Sequence, residues 1–102
     1  MAGYVDGKVV VVFGGGGDAH RNIAVALAQA GADIAVAGLA PDLASEAALH
    51  SISNEVWALG RHSTVVTLTA DDAPSFAAAV QKAQAELGRA DVVVRADAVL
   101  DA

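Results

Sequence analysis

Four consecutive glycines, Gly14 to Gly17, stand directly after the unbroken apolar run Val9, Val10, Val11, Val12 and Phe13 and directly before a helical pattern. An uninterrupted β-branched run reads as a strand covered on both faces, which is the condition of a parallel strand inside an α/β sheet. Asp18 is expected to cap the helix that follows, in which Ile23, Leu27 and Ala30 recur at helical spacing until Gly31 ends it.

The same alternation continues down the chain. Asp33 to Ala37 reads as a second strand. Pro41 is expected to open a helix running towards Gly60, with Leu43, Ala47, Leu49, Ile52 and Val56 apolar. Thr64 to Leu68 is a third strand, Pro74 and Ser75 start a helix through Leu87 that Gly88 closes, and Asp91 to Val94 begins a fourth strand. The order is β-α-β-α-β-α-β. A parallel return needs a helix-length crossover, so this pattern predicts an α/β, Rossmann-like three-layer architecture with about four parallel strands in the order 3-2-1-4. Residues 1–102 are expected to form one Rossmann-like half domain.

Composition narrows the function classes. The chain is 55% apolar but only 4% aromatic, so much of its core is alanine and buries little area per residue. Twelve acidic residues against six basic ones give a net charge of -6, which opposes binding to nucleic acid or anionic membranes, and neither is an expected partner. With no cysteine, disulfides and thiolate metal sites are excluded. The first residues lack a signal pattern and no apolar run nears the roughly 20 residues of a membrane span, so a cytoplasmic location is the expectation.

A glycine turn between strand and helix is where a dinucleotide fold holds pyrophosphate on backbone amides at the helix N-terminus, and Gly14, Gly16 and Ala19 fit G-x-G-x-x-G/A. Together with Asp6-Gly7-Lys8, Gly31-Ala32-Asp33 and Glu86-Leu87-Gly88-Arg89-Ala90-Asp91-Val92-Val93-Val94, the turn resembles the short-chain dehydrogenases/reductases from Asp6 to Val99. The resemblance is to the N-terminal cofactor-binding half of that family. It implies an NAD(P)-binding fold and, in a complete member, a carbonyl or alcohol oxidoreductase.

The departures fall where the family meets its cofactor. Its T-G-x-x-x-G-x-G turn would begin at Phe13, so only Gly14 is kept, and Asp18 and His20 replace the last two glycines. Asp18 places a charge where phosphates approach, and His20 a ring where close packing or cofactor approach calls for glycine. After the second strand stand Gly38, Leu39 and Ala40, so no acidic or basic residue selects NAD or NADP. The aspartate expected near adenine aligns with Thr69, leaving Asp71 and Asp72 downstream as helix-start residues. The N-N-A-G segment aligns with Arg95, Ala96, Asp97 and Ala98. By this alignment the cofactor-binding residues are Gly14, Gly16, Gly17, Asp18, Ala19, Leu39, Thr69 and Ala96, with weak binding of NAD or NADP expected.

No catalytic or metal residue is assigned. The family's Ser and Tyr-x-x-x-Lys lie beyond the point where this chain stops. Tyr4 and Lys8 match the latter only in letters, because that motif needs a helix to bring both side chains to one face and this segment is strand-like. His20, His50 and His62 lack ligand spacing and read as ordinary histidines. Arg21 is equally suited to a phosphate or to solvent, and Trp57 is expected to cover a helix–sheet junction.

Three readings follow: a nucleotide-binding module inactive alone, a non-catalytic structural or interaction domain that no longer binds dinucleotide, and an enzyme completed by another chain. The fourth strand would be an edge, and the sheet face beside it would lack a helix. A homo-oligomer, or a partner chain covering that strand, is therefore expected.

Overall fold

The computed structural model describes residues 5–96. The elements are β1 (Val9–Phe13), α1 (Asp18–Gln29), β2 (Asp33–Leu39), α2 (Leu43–Ala58), β3 (Ser63–Leu68), α3 (Ala73–Leu87) and β4 (Val92–Arg95). All four strands are parallel, in the order β3-β2-β1-β4. Val9 lies opposite Asp33, Val10 opposite Val92 and Ile34 opposite Ser63.

Side chains alternate across a strand, so this register sorts the sheet into two apolar layers. Val10, Val12, Ile34 and Val36 pack under Ala24 and Ala28 of α1 and Leu49, Ile52 and Val56 of α2. Val11, Phe13, Ala35, Ala37, Val66 and Leu68 face Ala79 and Ala83 of α3. The first two helices thus share one face and the third holds the other, as three right-handed crossovers require when the chain reverses direction across the sheet. Every residue of β1 is buried, whereas β4 alternates half-buried and exposed.

Several boundaries differ from expectation. Asp18 does not cap α1: Gly17 occupies the cap position, no side chain bonds there, and Asp18 is the first helical residue. Pro41 does not open α2. Asp42 is its cap, and its carboxylate accepts the Ser45 N–H at 2.8 Å. Asp72 does the same for α3, accepting from Ser75 N–H at 2.9 Å, and Gly88 in the left-handed region ends that helix. Asp91 lies just before β4, and its carboxylate accepts the Val9 N–H at 2.9 Å, tying β4 to β1. Trp57 remains 52% exposed instead of closing a junction, with its indole edge-on to His62 in the link before β3.

Candidate functional site

β1 delivers its last residue, Phe13, to the carboxyl end of the sheet, where open α/β folds bind ligands. The backbone then turns through the four glycines, with the Gly14 N–H bonded to the Ala37 carbonyl of β2 at 3.0 Å. Gly16 has φ +82°, a conformation that disfavours any side chain.

Beneath the turn lies His20, 2% exposed. Its Nδ1 accepts the Gly16 N–H at 3.0 Å, and Nε2 is 2.8 Å from the Val12 carbonyl. An amide can only donate and a carbonyl only accept, so the imidazole that makes both bonds is neutral with its proton on Nε2. His20 therefore does not project into the cofactor's path. It fills the helix–strand junction from inside and turns the Gly16 amide inwards. A methyl on Gly14 would lie 2.7 Å from His20 Cγ, and one on Gly38 would lie 2.3 Å from the Gly14 carbonyl oxygen. The turn is pressed between a ring and the end of β2.

In front of the turn, on the α3 face, is a pocket of about 160 Å³. Gly14, Gly15, Gly38 and Leu39 form its floor and one wall. Phe13, Leu68 and Phe76 give it an apolar interior, and Asp71 is its one charged lining residue. The Phe13 and Phe76 rings meet edge to face at 4.9 Å, and the Arg95 guanidinium lies 4.5 Å from the Phe76 ring centre. Pockets enclosing a drug-sized ligand hold roughly 300–1,000 Å³, so this one has room for a single flat ring system.

Of the residues aligned from sequence, Gly14 and Leu39 line this pocket. Gly16, Gly17, Asp18 and Ala19 continue the turn into α1 without lining it. Thr69 instead pairs its hydroxyl with Ser75 at 3.1 Å, and Asp71 reaches the pocket. Ala96 is buried with Val10 and Val12 on the opposite face of the sheet. The other lining residues, Phe13, Gly15, Gly38, Leu68, Asp71 and Phe76, were not among those aligned. Strand parity carries the signal for Phe13 and Leu68, and position in the first turn after the Asp72 cap carries it for Phe76.

The remaining candidates have structural partners. Arg21 pairs with Glu55 and lies 3.4 Å from the Ser51 hydroxyl, joining α1 to α2 rather than facing the turn. His50 lies 3.8 Å from Glu46 one helical turn earlier. Among the described residues no three His, Asp or Glu side chains gather to hold a metal. The carboxyls of Asp42 and Asp72 are held below their ordinary value by hydrogen bonds from Ser45 and Ser75, and Asp91 by those from Val9 and Arg89. Tyr4, Asp97 and Ala98 lie outside the described residues. Among the described residues, no helix is long and apolar enough to cross a membrane.

A parallel sheet with a glycine turn at its carboxyl end defines a Rossmann-type α/β unit. No protein-family model and no curated protein matches the sequence. Solved structures do. A short chain dehydrogenase from Mycobacterium avium is 32% identical with a TM-score of 0.79, over 91% of this chain and 34% of that one. An acetoin dehydrogenase from Enterobacter cloacae is 29% identical, TM-score 0.72, over 84% and 34%. A putative dehydrogenase from Burkholderia cenocepacia with bound NADP shares the fold at TM-score 0.80 and 23% identity, over 93% and 36%. The chain is thus built like the N-terminal cofactor-binding part of a short-chain dehydrogenase/reductase. It spans about a third of the length of those proteins.

Proposed function

We propose that this chain is a nucleotide-binding-type module, built as one domain, that takes NAD or NADP weakly by its adenosine end and has no turnover of its own. The supporting observation is the pocket between Leu39, Gly38, Phe13 and Phe76, at the carboxyl ends of β1, β2 and β3 and beside the glycine turn. NADP in the Burkholderia cenocepacia structure supports the cofactor class. No residue at the end of β2 favours one dinucleotide over the other, since Gly38 and Leu39 carry no charge. Carbonyl or alcohol chemistry would need a Ser/Tyr/Lys set from outside residues 5–96.

A second reading, a structural or interaction domain without dinucleotide, is favoured by the Gly16 amide bonded to His20 and by Val93, 50% exposed on β4. Calorimetric titration with NAD+, NADH, NADP+ and NADPH separates the two. Weak saturable binding supports the first and none supports the second, while micromolar affinity would overturn the weak-binding claim.

A further inference from the structure

The pocket and the turn beside it give conflicting signals about phosphate. The pocket has an apolar interior for a flat ring and, in Asp71, a carboxylate with no hydrogen-bond or ion-pair partner among the described residues. A carboxylate accepts from amino and hydroxyl groups and repels a phosphate. Beyond the pocket, a phosphate would need amides and cations at the glycine turn and the start of α1.

Part of that set is engaged elsewhere. The Gly16 N–H is bonded to His20 Nδ1, on the side of the turn away from the pocket. Arg21, in the first turns of α1, is held by Glu55 and Ser51 on α2. The exposed residue at the helix start is the anion Asp18, whose charge offsets the positive end of the helix dipole. Arg95, opposite Phe13 in the sheet register, lies over the ring of Phe76.

We infer that this pocket is a purine nucleoside site that gains little from the nucleoside's phosphates, and that His20 contributes to this from inside the turn by holding the Gly16 amide. The inference rests on the nucleotide-binding reading above and narrows its ligand class. His20 is a positioning residue: it touches no ligand. It acts by removing one donor from the phosphate side and by holding Gly16 in place.

The test is a titration of the whole chain with adenosine, AMP, ADP and NAD+, followed by calorimetry and by amide NMR shifts. The three smaller ligands are expected to bind within about threefold of one another, or more weakly as phosphates are added. In His20→Gly the Gly16 amide is freed, and one recovered hydrogen bond to an anion corresponds to about a tenfold gain for ADP over adenosine. Should that variant not fold, Asp18→Asn tests the same point from the surface, with ADP gaining severalfold and adenosine unchanged. Hydrogen exchange gives an independent readout: the Gly16 amide should be protected in the native chain. Tenfold tightening with each phosphate in the native chain overturns the inference and leaves the nucleotide-binding reading intact, as Arg95 capturing the phosphate would. A rapidly exchanging Gly16 amide also overturns it. Absence of binding by all four ligands overturns both.

Discussion

His20 and Gly14 occupy what is almost one volume, and that allows a quantitative test. Replacing Gly14 by Ala puts a methyl carbon 2.7 Å from His20 Cγ and 2.8 Å from Nδ1, well inside contact distance. The ring cannot swing away without giving up its bonds to Gly16 and Val12, so the cost should be that of overpacking, about 1–3 kcal/mol. A few tenths return because alanine restricts the unfolded chain. His20→Ala alone removes a buried ring and leaves a buried amide and carbonyl without their partner. That combination costs about 2–4 kcal/mol.

The two substitutions together should cost less than their sum, because the methyl introduced at position 14 then enters space the ring has vacated. A coupling energy of about 1–2 kcal/mol is expected, against roughly 0.5 kcal/mol for independent sites. Urea unfolding of all four proteins, followed by far-ultraviolet circular dichroism and by Trp57 fluorescence, yields the cycle directly. Additivity within about 0.5 kcal/mol would refute the claim that His20 and Gly14 compete for one volume.

Further outcomes follow from the same geometry. Gly38→Ala should destabilise at least as much as Gly14→Ala, roughly 2–3 kcal/mol by urea midpoint, because its methyl meets the Gly14 carbonyl oxygen at 2.3 Å and backbone yields less than a side chain. Asp42, Asp72 and Asp91 have folded-state carboxyls held below their ordinary value of 3.8, so the stability they add is present above that value and is lost as pH falls through it and below. The urea midpoint should drop on acidification below about pH 4, and Asp91→Asn should flatten that drop; an unchanged acid slope would count against the Val9 bond. We also propose self-association through β4, the last strand of the described sheet, on which Val93 is half exposed. Sedimentation equilibrium should show concentration-dependent association that Val93→Lys weakens, and a monomer at every concentration would reject the proposal.

The strands that were easiest to read in the sequence are those covered on both faces. Val9 to Phe13 and Ile34 to Ala37 are continuous apolar runs because α1 and α2 lie on one side and α3 on the other, so nothing selects for alternation. The end of α3 was equally legible, since Gly88 takes a backbone conformation that few other residues adopt. Helix starts were harder where a competing signal stood one residue away. Pro41 precedes the true cap Asp42, and the glycines before Asp18 contain no side chain to mark where α1 begins, so the first carboxylate was read as the cap.

The pocket was only partly legible, for a geometric reason. Gly14 and Leu39 follow from their places at strand ends, but Asp71 and Phe76 depend on how the link after β3 bends and how α3 is rotated over the sheet. Spacing along the chain does not encode that rotation. His20 was visible as a departure from the family's glycine, yet the letter alone does not say which side of the turn its ring takes. Once the ring is placed between Val12 and Gly16, Gly14 acquires a reason that has nothing to do with a cofactor. Any β-carbon at position 14 would collide with the imidazole, so a histidine at 20 requires a glycine at 14 for packing alone. The one family glycine kept in the turn is therefore explained without phosphate, and Gly14 by itself carries no weight as evidence that a dinucleotide binds.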